Sequence, residues 1–202
     1  MLQEALSGTS GAEKMIFNDD ALKTVLKFVQ DRYKHYPDQF LTEEDIRSFI
    51  VAELLKQENL SAIQPTCDGS WSIPIHSEIR WYGARHNLRY RSDIALIDPT
   101  DLSTKDGALS LPSKGYGYNN FWAVIEIKLR RTNGCSDNQF LKLIQKEIEK
   151  AVRVRDEAKQ FNSHRATYHL LFFDKKADIS NSLINLASSA GQDIFMEYVH
   201  KH

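Results

Sequence analysis

Cysteine is scarce in this chain. Cys67 and Cys135 are its only two, too few for a disulfide framework or a four-cysteine zinc site, and they read as unrelated thiols in a reducing compartment. A surplus of charge is missing as well. With 26 Lys+Arg against 27 Asp+Glu the net charge is -1, so no chain-wide field marks a polyanion or membrane partner, and any such binding must be local. Apolar stretches such as Phe49–Ala52 and Leu170–Phe173 fall far short of the ~20 residues that span a bilayer. The start, Met1-Leu2-Gln3-Glu4, has neither the basic residues nor the apolar run of a secretory signal. A cytoplasmic protein without membrane contact is the expectation. No glycine-rich phosphate loop and no serine or cysteine nucleophile elbow occurs, and the seven histidines show no zinc-ligand spacing.

The 202 residues, 42% of them hydrophobic, are enough for one full core and too few for two. Residues 1–18, with Ser7-Gly8-Thr9-Ser10-Gly11, read as a flexible arm, and 19–202 as a single domain. Leu22, Val25, Leu26, Val29 and Tyr33 have the spacing of an amphipathic helix that stops near Tyr36-Pro37. Thr42 is the N-cap of a second helix whose buried face is Ile46, Phe49, Ile50 and Leu54, with acids in the first turn. Trp71–Tyr82 alternates with period two, Pro74 marking an edge or bulge. Strands follow at Tyr90–Ile97 and Phe121–Arg130, separated by a long loop from Asp98 to Asn120. A long amphipathic helix covers Asn138–Phe161, an apolar strand Tyr168–Phe173, a helix Ile179–Ser189 and a last strand Ile194–Val199. This order predicts an α/β (α+β) protein with one mixed central sheet of about five strands flanked by helices, an antiparallel meander followed by a helical crossover.

Three acids and a lysine stand out within these elements. In Ala123–Arg130, Glu126 and Lys128 share one face of a strand that is otherwise apolar, and a buried charge needs a partner or a wet cleft. Asp93 interrupts a strand whose following residues are all apolar, where an aspartate is normally neutralised. Glu53 falls three positions after Ile50 and four after Phe49, a spacing that aims its carboxylate towards the core side of the helix. Each has an ordinary explanation: a half-exposed strand, a salt bridge from Asp93 to Arg91 or Arg89, a glutamate at the rim of an apolar stripe. Taken together, converging carboxylates repel one another, and a hard divalent cation such as Mg²⁺ resolves that repulsion.

Ser92-Asp93, the long loop, then Glu126-Ile127-Lys128 on the next strand resemble the PD-(D/E)xK nuclease superfamily, which has a restriction-endonuclease-like fold. The resemblance covers Thr42 to Phe173. It implies that Asp93, Glu126 and the Ile127 carbonyl bind Mg²⁺, with Mn²⁺ as substitute, and that Lys128 serves the attacking water. Glu53 would be the helix carboxylate that many members add, holding a second ion or its water. Ser92 replaces the motif's proline, which is not a ligand. The implied activity is metal-dependent hydrolysis of phosphodiester bonds in DNA, with RNA the second choice, by metal-activated water. The alternative is a non-catalytic nuclease-like module that binds nucleic acid or a protein partner. A homodimer is compatible with either, although no dimer signature is present. For the nucleic acid, the candidate contacts are Arg89 and Arg91, Arg130 after the motif, and Lys146, Lys150 and Arg153, which with Lys142 form a basic stripe on the long helix.

Overall fold

A computed structural model describes residues 17, 19–82, 88–102, 109–111, 115–118, 121–159, 166–187 and 191–201. Helix α1 spans Asp19–His35 and buries Leu22, Val25, Leu26, Val29 and Tyr33, the stripe its spacing predicts. Of the expected N-terminal arm, 1–16 and 18 lie outside the described residues. Phe17 stacks on Trp122, ring centroids 5.5 Å apart, so packing against the body already begins there.

Helix α2 (Glu43–Leu54) starts in a capping box: the Thr42 side chain accepts from the Asp45 amide, and Asp45 Oδ2 accepts from Thr42 N at 2.9 Å. Ile46, Ile50 and Leu54 are buried, and Phe49 packs half-buried beside them. A short α3 (Glu58–Ser61) follows, then a two-stranded ribbon of β1 (Gln64–Pro65) and β2 (Trp71–Ser72). Gly69, at φ +75°, makes its turn. This ribbon corrects the expected single strand from Trp71 to Tyr82. Proline lacks the amide a ladder needs, and the chain leaves the ribbon at Pro74 before the main sheet begins at Ile75.

The main sheet contains β3 (Ile75–Tyr82), β4 (Leu88–Leu96), β5 (Leu109–Leu111), β6 (Gly115–Tyr118), β7 (Ala123–Arg130), β8 (Thr167–Asp174) and β9 (Ile194–His200), in the order β5-β6-β3-β4-β7-β8-β9. Strands β3, β4 and β7 form the antiparallel meander, and β8 and β9 continue it in parallel. Helices α4 (Asp137–Ala158) and α5 (Ser180–Ala187) make the two crossovers. These five strands are the expected mixed central sheet, an antiparallel meander followed by helical crossovers. The long loop adds the other two, as a β5–β6 hairpin running beside β3.

Helices pack on both faces. Leu170 and Phe172 of β8 join the cluster under α4 and α5, while Leu171 and Phe173 join the one under α1 and α2, which is why β8 is apolar on both sides. Alternation fails in β3: Ile75 packs towards α1 and α2, Ile79 towards α4, although a regular strand would put both on one face. Between them Glu78 has φ +57°.

Arg130 is not a nucleic-acid contact. Its side chain is fully buried; Nε donates to Asp174 Oδ1 at 2.9 Å, Nη2 pairs with Asp174 Oδ2, and Nη1 lies 2.5 Å from Asp137 Oδ1. The guanidinium sits 4.8 Å from the Phe140 ring centre, and Tyr198 Oη donates to Asp174 Oδ2 at 2.8 Å. One side chain thus ties the end of β7 to β8 and to the start of α4. Breaking a buried pair from one side leaves an uncompensated charge. Arg130→Met is therefore expected to lower unfolding free energy by about 3–5 kcal/mol, measured by urea denaturation.

Candidate active site

The β4–β7 ladder pairs Leu96 with Ala123, Ala95 with Val124 and Ile94 with Ile125, and stops there. The next step would set Asp93 opposite Glu126. Instead β4 stays with β3 while β7 stays with β8 through Arg130, so the two strands part. A buried amide must still be satisfied, and Asp93 Oδ2 accepts from Ile127 N at 2.8 Å in place of a backbone carbonyl. The cleft opens at this point, with a volume of about 520 Å³. Glu43, Arg47, Glu78, Arg91, Asp93 and Lys128 line it.

Glu126 does not line the cleft; it is buried beside Lys150 on the α4 side of β7, 7% exposed. Burial, with the negative charges of Asp93 and Glu147, pushes its carboxyl up to about 7, against the opposing pull of Lys150. Lys150 Nζ stands 2.9 Å from Glu126 Oε2 and 3.3 Å from Glu147 Oε2. Burial pulls this ammonium down, but Glu126 and Glu147 more than offset that and hold it above the ordinary lysine value. Lys128 Nζ donates to the Ile127 carbonyl at 2.9 Å and lies 3.7 Å from Glu147 and 3.9 Å from Glu43. Asp93 Oδ1 is 3.3 Å from Arg47 Nη1.

Asp93, Glu126, Ile127 and Lys128 are thus together. Glu53 is not with them. It pairs with Lys56 at 2.6 Å, and ten residues of helix put it ~15 Å along the axis from Glu43. The carboxylate that α2 brings to the site is Glu43, whose Oε1 accepts from Leu129 N at 3.1 Å. The reason is orientation: α2 meets the sheet with its first turn at the end of β7, and only the apolar middle of the helix was legible as core-facing. Sequence reasoning also missed Arg47, Glu78 and Glu147. The acids of the first turn, Glu43, Glu44 and Asp45, were a visible signal for Glu43, read only as helix-dipole partners.

The basic residues divide. Lys150 turns inward onto Glu126, which corrects its reading as part of a phosphate-binding stripe. Lys142, Lys146 and Arg153 are exposed. Arg91 is exposed but pairs with Glu78 at 2.6 Å, and the Arg89 side chain lies outside the described residues. Among the described residues, no group of three His, Cys, Asp or Glu stands ready to hold a metal ion. None of their helices is long and apolar enough to cross a membrane.

No protein-family model matches the chain, and neither does any curated protein. Among solved structures it is similar to NucC of P. aeruginosa ATCC27853 in the cAAA-bound form, at 12% identity and a TM-score of 0.45, over 88% of this chain and 74% of that one.

Because Glu126 keeps its proton to about pH 7 in the native state, against 4.5 ordinarily, the folded protein binds more protons than the unfolded one between those values. Stability therefore falls as pH rises through that window. Relative to Glu126→Gln, the wild type should lose up to about 1.4 kcal/mol per pH unit there and nothing further above it. Urea titrations at a series of pH values spanning the window measure this.

Proposed function

We propose that the protein is a metal-dependent nuclease that hydrolyses phosphodiester bonds, of DNA first and RNA second. The observation that carries this reading is that Asp93, Glu126 and Lys128 come together on β4 and β7 where the two strands part, Asp93 on the Ile127 amide and Lys128 on the Ile127 carbonyl. A binding module has no use for two mutually repelling carboxylates brought together where the sheet opens.

The donors fit a hard cation. Asp93 Oδ1, the Glu126 carboxylate and the Ile127 carbonyl are all oxygens, the chemistry Mg²⁺ and Mn²⁺ prefer. Burial first, and the charge of Asp93 after it, raise the cost of an ionised Glu126, a cost that a bound cation would lower. When bound, the cation supplies Lewis acidity and neutralises charge on the phosphate. Asp93 is held for this by the Ile127 amide, which fixes one oxygen and leaves the other directed elsewhere. Lys128, on the Ile127 carbonyl and near Glu147 and Glu43, holds an ammonium where it orients an attacking water and offsets the negative charge that builds on phosphorus. Glu147, 3.7 Å from Lys128 and 3.3 Å from Lys150, bridges the two ammonium groups and offsets their repulsion. Exposed Lys142, Lys146 and Arg153 give α4 a basic outer edge along which the nucleic acid backbone continues.

A second reading, a nuclease-like module that binds without cutting, is favoured by one feature: the protein's own cations already engage these donors, Lys150 on Glu126 and Arg47 on Asp93. Calorimetry with Mn²⁺ separates the two readings. Asp93→Ala and Glu126→Ala should abolish both Mn²⁺ binding and cleavage of duplex DNA while leaving the circular dichroism spectrum intact. Lys128→Met should keep metal and DNA affinity within a few-fold yet reduce turnover by about 10²-fold. Wild-type cleavage by both alanine variants would show the assigned site to be wrong.

A further inference from the structure

Glu78 is the one non-glycine among the described residues with a positive φ, +57°. It lies in mid-strand, between the pairs Ser77–Ile94 and Ile79–Ser92. The left-handed region is strained for any residue with a Cβ, and such strain persists only where surrounding contacts over-determine it. Those contacts are two guanidinium groups. Glu78 Oε1 pairs with Arg47 Nη1 of α2, and Oε2 lies 2.6 Å from Arg91 Nε of β4. Arg47 is further held by Glu44 and by Asp93 Oδ1 at 3.3 Å, and its side chain is only 15% exposed. Arg91, at 61% exposed, opens to the cleft.

We propose that Glu78 is a positioning residue that holds Arg47 and Arg91 as a paired clamp for a backbone phosphate of the nucleic acid strand lying in the cleft. The proposal rests on the nuclease reading and adds to it the part that seats the substrate. A guanidinium carries five N–H donors in a planar fork suited to phosphate; Glu78 meets Arg91 at Nε alone, so this exposed arginine is the outer jaw, while Arg47, held among Glu44, Glu78 and Asp93, is the inner one. Arg91 stands two residues from Asp93, ~7 Å along an extended strand. A phosphate seated at the clamp is therefore a neighbour of the one that Asp93 and Lys128 address. In the register of the ladder Glu78 falls opposite Asp93, and the left-handed turn at Glu78 accompanies the pairing of its carboxylate with both arginines.

The test separates backbone strain from substrate seating. Glycine accepts φ +57° without strain, so Glu78→Gly releases the strain together with the two ion pairs that held it and should remain folded, with the circular dichroism spectrum of the wild type. The same variant should bind a short DNA duplex at least tenfold more weakly, with Ca²⁺ replacing Mg²⁺ so that binding is read without turnover. In Mg²⁺ the loss should appear in KM more than in kcat. Glu78→Gln, which keeps the hydrogen-bonding shape without the charge, should fall between glycine and wild type. Arg47→Met and Arg91→Met should each reduce the slope of log K against log salt by about 0.9. Wild-type affinity, KM and salt slope in these variants would overturn the clamp. So would an affinity loss that merely tracks the loss of folded protein across Glu78→Gly and Glu78→Gln. A wild type that neither binds nor cuts nucleic acid would instead remove the nuclease reading on which the clamp stands.

Discussion

The site depends on one hydrogen bond, from the Ile127 amide to Asp93 Oδ2. Strands β4 and β7 begin as an ordinary antiparallel pair and separate after three registered positions. Separation inside a protein exposes backbone donors to an apolar interior, at a cost comparable to a lost hydrogen bond. A side-chain carboxylate in place of a carbonyl lets the sheet open without that cost. The substitution also leaves a second carboxylate oxygen, Oδ1, to meet the side chain of Arg47 at 3.3 Å. Opening the sheet and creating an oxygen donor are thus the same event.

Around that opening the chain concentrates charge that its overall neutrality conceals. Glu126, Lys150, Glu147, Lys128 and Glu43 form a chain of alternating sign from the buried Glu126 to the exposed Glu43. Alternation makes the burial tolerable, since each charge meets an opposite neighbour. It does not remove the pressure on Glu126, whose carboxyl remains shifted to about 7 by burial first and by nearby acids next.

Arginines serve two different purposes in this fold. Arg130 is wholly enclosed by Asp174, Asp137 and the Phe140 ring, and locks the end of β7 to β8 and α4. Arg47 and Arg91 share one carboxylate at the wall of the cleft. In sequence, Arg130 and Arg91 look alike, each lying in a strand two residues from a motif residue, Lys128 in one case and Asp93 in the other. Burial by elements distant in sequence separates them.

Much of the architecture was legible because it rests on local rules. Apolar periodicity located α1, α2, α4 and the continuous strand β8, and the Thr42 cap and Pro37 bounded helices through backbone chemistry that acts over a few residues. The order of those elements sufficed for a mixed sheet with helices on both faces, and Asp93, Glu126 and Lys128 stood out because charge inside an apolar strand is costly anywhere. Tertiary structure decided the rest. The angle at which α2 meets the sheet brings Glu43 and Arg47 to the cleft and leaves Glu53 with Lys56. The left-handed turn at Glu78 switches the faces of β3, and the side-chain direction of Lys150 makes it a partner of Glu126. Periodicity determines which side of an element is apolar, whereas which end of it reaches a site depends on packing between residues remote in the chain.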